Sequence, residues 1–283
     1  MLRSSKLHNI TSLAFQFYGR YFSRLANLPK PWFTSSLESM QKNLFLLITL
    51  VTIFGNYLSN VTALTGRSIG ELSDIYSTRL TPAGFTFSIW FFIYLGLLYI
   101  GWLFARGKLT WSRELLPWYA LASGLNLGWL LVWQQERLFA AAIILVSLAL
   151  VNFGIVRLFR THQAARTVTL PTQLYLMYAT WTLLASFISV TTYLQYGLGF
   201  EGAGLSAATW VSGILWLLAG VAAYLVRARN YFAFGLVYVW AVFGIVSAQS
   251  ASAIVMSGWL AGALILVLTM ATWWRRRSLS AKE

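Results

Sequence analysis

The chain has 283 residues, of which 58% are hydrophobic, 17% aromatic and only 10% charged, and its net charge is +14. Soluble domains hold about 25% charged residues, so this is not an ordinary soluble protein. With no cysteine in the chain, disulfides, thiolate chemistry and cysteine metal sites are excluded.

In chain order, the first element is a basic segment over 1–43. It has no acid before Glu38, and Leu7, Ile10, Ala14, Phe17, Tyr21, Leu25 and Leu28 recur at steps of three and four. That spacing puts one apolar face on a helix, which Pro29 and Pro31 then end. Three readings stay open for it. It is an Arg- and Ser-rich targeting presequence, a helix lying on anionic lipid, or a non-essential tail.

Eight apolar stretches follow, at 44–64, 83–105, 116–134, 138–158, 171–195, 206–226, 230–249 and 251–274. Each approaches the roughly 20 residues needed to cross a bilayer. The expected fold class is therefore all-α, a polytopic membrane helix bundle. A net charge of this size would point to nucleic acid in a soluble chain, but here the placement of charge accounts for it. Eighteen Lys and Arg lie in the tails and alternate loops of one side, against Arg67, Arg79 and Arg137 on the other. The positive-inside rule then puts both termini, including the basic tail 275–283, on the cytoplasm-equivalent side. An even number of spans agrees with this. No nucleic acid is expected.

The segment from Thr65 to Leu80 is the longest polar outside loop and leads into Pro82. No Asp, Glu, Lys, Arg or His falls in the middle of a span, where ion pumps and proton-coupled carriers usually place such groups. His8 and His162 lie in basic inside segments. Neither a catalytic metal site nor a Ser–His–acid triad can be assembled readily. The chain does not read as an enzyme, and no cofactor is required.

What remains inside the spans is uncharged polar and aromatic chemistry. Trp90 and Tyr94 share a face of the second span, and Asn126 and Trp129 share one in the third. Asn152 sits in the fourth. In the fifth, Tyr178, Trp181, Ala185, Ser189 and Tyr193 form one stripe. Interfacial anchoring or helix packing explains many such aromatics. A ligand pocket is the alternative for Trp90, Trp129 and Trp181, whose depth obliges each indole N–H to find a partner. Ala185 either admits a neighbouring helix or leaves room for a flat ligand. Gly258 and Gly262 form a small-xxx-small pair, and Val221, Tyr224 and Arg227 fit a weak sterol pattern.

Pro82 opening a span, Trp90 eight residues later and Tyr94 four after that resemble the second helix of the translocator protein, or tryptophan-rich sensory protein (TspO/MBR), family. Leu125, Asn126 and Trp129 resemble its third helix. Tyr178, Trp181, Ala185 and Tyr193 resemble its fifth. Thr81 stands where a first proline is usual, Met177 where Pro is usual and Ser189 where Asn is usual. No Lys or Arg follows Tyr193 closely. The resemblance covers 44–196, so 197–274 is expected to be a three-helix extension of a five-helix core. It implies a pocket closed by the first loop, 65–81 here, that binds flat hydrophobic molecules such as porphyrin or haem. It also implies sensory, regulatory or transport roles rather than catalysis. On this reading Pro82, Trp90, Tyr94, Asn126, Trp129, Tyr178, Trp181, Ala185 and Ser189 bind the ligand. The expected partners are membrane lipid, a hydrophobic small molecule such as a tetrapyrrole and, as an option, a second copy of the chain. The membrane is a bacterial inner membrane or, if 1–43 is a presequence, that of an organelle. An uncoupled facilitator of an apolar solute and a structural subunit without ligand are the competing readings.

Overall fold

The computed structural model describes residues 32–61, 66–109, 112–161 and 169–280. The three readings of the N-terminal segment fall largely on 1–31, and part of the basic tail on 281–283, outside the described residues. The chain divides into two units, Met1–Met40 and Gln41–Glu283. Apart from the first nine residues of α1, everything below concerns the second.

The expected helix bundle is observed. The described helices are α1 (Trp32–Val61), α2 (Ile69–Ile75), α3 (Ile89–Ala105), α4 (Leu115–Gln134), α5 (Leu138–Thr161), α6 (Leu170–Thr192), α7 (Ala207–Tyr224), α8 (Phe232–Ala248) and α9 (Ser252–Ser280). A 3-10 turn, Gly84–Ser88, leads into α3, and π turns extend α6 over Tyr193–Gly197 and α7 over Leu225–Arg229. Seven of these segments are long and apolar enough to cross a membrane. The eighth predicted span is α8, a shorter apolar helix over Phe232–Ala248. At 1.5 Å per residue it covers about 25 Å of a roughly 30 Å hydrocarbon core.

Backbone groups inside a bilayer must be paired within the protein, which is why every span is helical. Local chemistry fixes the starts. Pro171 occupies the first turn of α6, where its missing N–H has no helical partner to lose. Ser206 caps α7 by accepting from the Thr209 N–H at 3.1 Å.

Polar side chains set the register of α1 on α4. Thr49 and Tyr119 hydroxyls bond at 2.8 Å, Asn56 donates to Asn126 at 2.7 Å, and Gln134 donates to the Ser59 carbonyl at 2.8 Å. Both partners advance together along the chain, so α1 and α4 run parallel, as first and third crossings must. Such bonds average about 0.6 kcal/mol in a membrane, with a maximum of about 1.7. Phe45 stacks on Tyr119 at 4.0 Å in the same seam.

Helix α6 is the most buried span and packs against α5, α3 and α8. Asn152 of α5 serves this packing, donating to Thr182 at 3.2 Å and accepting from Tyr175 at 2.8 Å. The last three helices do not build a core of their own. Leu215, Leu218, Phe234, Tyr238 and Ile265 belong to the same buried cluster as Phe45, Ile93 and Trp181. Gly258 lets α9 approach α8 so closely that a Cβ would lie 2.3 Å from Val246. The small-xxx-small pair therefore joins helices within one chain.

Candidate functional site

The site is built where α3 meets α6. The four-residue step from Trp90 to Tyr94 stacks their rings at 5.5 Å with planes 28° apart. Trp90 also meets Tyr178 of α6 at 5.8 Å. Tyr178 is buried, and its hydroxyl lies beside the Asn126 and Asn152 side chains without a hydrogen bond of good geometry. Three predicted residues thus share one aromatic face, with Asn126 at its edge.

On α4, Asn126 is almost wholly buried and its amide oxygen is engaged by Asn56. Trp129 lies one turn nearer the segment that carries α2, packing beside Leu72. Its ring stacks on Trp133 at 6.0 Å, and its indole nitrogen is buried with no hydrogen-bond partner. An unpaired buried polar group costs about 1–3 kcal/mol. The hydroxyl of Ser189 on α6 is likewise unpaired, and Ala185 packs against the main core.

Pro82 and Trp181 stand apart from that face. They line an apolar cavity of about 20 Å3 together with Leu184, Leu215, Leu218 and Tyr238, so α7 and α8 supply part of its wall. Trp181 also meets Phe87 edge-on at 5.9 Å. Helix α8 holds the segment after Pro82 in place. The Ala83 N–H donates to the Gly244 carbonyl at 2.9 Å, and the Trp240 indole donates to the Thr86 carbonyl at 2.9 Å. Gly244 is needed there, because a Cβ would lie 2.0 Å from Thr86 Oγ1.

The segment from Gly66 to α3 is ordered by its own chemistry. Ser68 and Glu71 form a reciprocal capping box at the start of α2. The Ser68 backbone N–H, donating to Glu71 at 2.6 Å, holds that carboxyl below its usual range. Leu72 is fully buried against Trp133 and Ala141. Glu136, in the α4–α5 turn, accepts from Tyr76 at 2.5 Å and from Arg67 at 3.1 Å. Donation to that carboxylate raises the Tyr76 hydroxyl above its ordinary value. Tyr196, beyond α6, donates to the Ser77 carbonyl at 2.7 Å.

Several of these residues carry no family resemblance and were not predicted: Asn56, Trp133, Thr86, Trp240 and Gly244. Only the first had a usable signal. Thr49 and Asn56 repeat at seven residues, as do Tyr119 and Asn126, and that match marks two helices bonding in register.

Helices long and apolar enough to cross a membrane, joined by uncharged polar bonds beside a half-buried aromatic face of Trp90, Tyr94 and Tyr178, define a multi-pass integral membrane protein. The family model described as TSPO-like protein matches residues 42–273. The chain belongs to the TSPO-like protein family, and the match takes in α7, α8 and α9 as well as the helices before them. No curated protein and no solved structure matches it.

Proposed function

We propose that this TSPO-like membrane protein binds a flat hydrophobic ligand, porphyrin- or haem-like or a lipid, for sensing, regulation or transport rather than turnover. The observation that carries this reading is the unpaired buried hydroxyl of Tyr178 on the face it forms with Trp90 and Tyr94, with a second unpaired group, Trp129 Nε1, on α4. Buried polar groups are normally hydrogen-bonded. A ligand with a polar edge would supply the missing partners, while Trp90, Tyr94 and Tyr178 offer ring faces for stacking.

A tetrapyrrole does not fit this face as it is packed. The rings meet at 5.5–5.8 Å and the separate cavity lined by Pro82 and Trp181 holds about 20 Å3, whereas ligand sites run about 300–1,000 Å3. Binding would require α3 to part from α6 beneath the loop. The same close packing favours a second reading, in which the aromatic residues only join helices. Titration of the purified protein with protoporphyrin, followed by tryptophan quenching, separates the two. Saturable quenching is expected; its absence would overturn the ligand reading. In liposomes, binding without solute flux would mark a sensor, and flux a facilitator. We place both termini on the cytoplasm-equivalent side, in a bacterial inner membrane or an organelle membrane.

A further inference from the structure

Helix α7 carries an open apolar groove of about 680 Å3 that uses none of the residues of the aromatic face, lined by Trp216, Leu217, Gly220, Val221, Tyr224 and Leu225. Its depth comes from Gly220, where a Cβ would meet no atom within 4 Å. Trp216 and Tyr224, one turn to either side, are 42% and 59% exposed and form the ends of the notch. With its π turn, α7 is long and apolar enough to cross a membrane, so this outer face meets acyl chains.

The groove runs toward a cluster of positive charge. Arg227 and Arg229 are exposed in the π turn that ends α7. Arg227 follows Gly220 by seven residues, about 10 Å farther along the helix. Helix α9 packs on the same π turn and ends in Arg275, Arg276 and Arg277, with the Arg277 guanidinium 4.5 Å from the Trp273 ring. Neither α7 nor α9 contains an acidic residue. An apolar notch leading in two turns to acid-free arginines complements one molecule with a long acyl chain and an anionic head.

The geometry points to a binding site for a single anionic phospholipid of the leaflet at this end of α7. One acyl chain lies in the Gly220 notch between Trp216 and Tyr224, and Arg227 and Arg229 pair the phosphate. Guanidinium groups suit this role because their fork matches phosphate oxygens. A phosphocholine head would set its ammonium among the arginines, so zwitterionic lipid binds less well.

The test is native mass spectrometry of the full chain in nonionic detergent, titrated with dioleoylphosphatidylglycerol or dioleoylphosphatidylcholine, with inorganic phosphate as competitor. One phosphatidylglycerol per chain is expected, held about tenfold more tightly than phosphatidylcholine. Each arginine near an anionic surface is worth about fivefold. The double variant Arg227→Gln/Arg229→Gln should therefore weaken phosphatidylglycerol about 25-fold. Gly220→Leu fills the notch, points into open space and so leaves the fold intact; it should weaken both lipids alike. Equal retention of the two lipids, or indifference to either variant, would overturn the proposal. So would displacement by inorganic phosphate at equal concentration, which would mark a free-anion site. Circular dichroism on each variant confirms that loss of lipid is not loss of fold.

Discussion

Replacing Gly244 with alanine should loosen the segment that carries Pro82. The added Cβ would lie 2.0 Å from Thr86 Oγ1, 2.8 Å from its Cγ2 and 2.9 Å from its Cβ. Comfortable carbon contacts are about 3.5–4.0 Å, so α8 and the 3-10 turn must separate by about 1.5 Å. That stretches the 2.9 Å bonds from Ala83 to Gly244 and from Trp240 to Thr86 beyond hydrogen-bonding range. Overpacking costs about 1–3 kcal/mol and each of the two lost bonds about 0.5–1.5, a total of about 2–6 kcal/mol. Thermal unfolding in detergent, followed by tryptophan fluorescence, should show Tm falling by about 5 °C or more. Thr86→Ala removes the two nearest atoms, one of which is an unpaired hydroxyl oxygen. Alone it should be neutral or mildly stabilising, and combined with Gly244→Ala it should restore about half of the loss or more. A Gly244→Ala protein within about 0.5 kcal/mol of the parent, or a double variant no better than the single, would refute the reasoning.

Three further outcomes follow from the same structure. In a double-mutant cycle, Asn56→Ala and Asn126→Ala should couple by about 0.6–1.7 kcal/mol; strict additivity would mean that their 2.7 Å bond does not clamp α1 to α4. The Glu71 carboxyl is held low by the Ser68 N–H, so its contribution to α2 is complete above the unfolded pKa of about 4.3 and lost as pH falls through the lower folded value. Amide protection over 69–75, corrected for intrinsic exchange, should hold at neutral pH and drop only below about pH 4; loss near neutral pH would contradict this. Because the chain lacks cysteine, single substitutions report sidedness cleanly. A membrane-impermeant maleimide should label Leu198→Cys and Ala228→Cys from opposite sides; labelling from one side would break the proposed topology.

The membrane architecture was legible because a bilayer demands long apolar helices whatever their partners, and hydropathy records that demand directly. All eight predicted spans correspond to helices. Their ends were less legible, since α6 and α7 run on through π turns to Gly197 and Arg229, where backbone bonding rather than hydropathy sets the limit. Spacing put Trp90 and Tyr94 on one face, where their rings meet, but it did not show how the other candidate residues are grouped. Tyr178 and Trp181 lie three residues apart on α6, yet one meets Trp90 and the other lines a cavity with Leu215 and Tyr238. Which side each ring takes depends on helices more than 30 residues away. The hold of α8 on the Pro82 segment was hidden for the same reason. A glycine at 244 gives no sign that Thr86 is its neighbour.

The proposal of a ligand on the aromatic face is tested most directly by the protoporphyrin dissociation constant of the Tyr178→Phe protein. This substitution removes only the unpaired hydroxyl and keeps the ring against Trp90. If that hydroxyl serves a ligand, affinity should fall about 5- to 10-fold while thermal stability holds or rises. An unchanged dissociation constant, or no saturable binding by the parent protein, would contradict the account and leave these aromatic residues as helix packing.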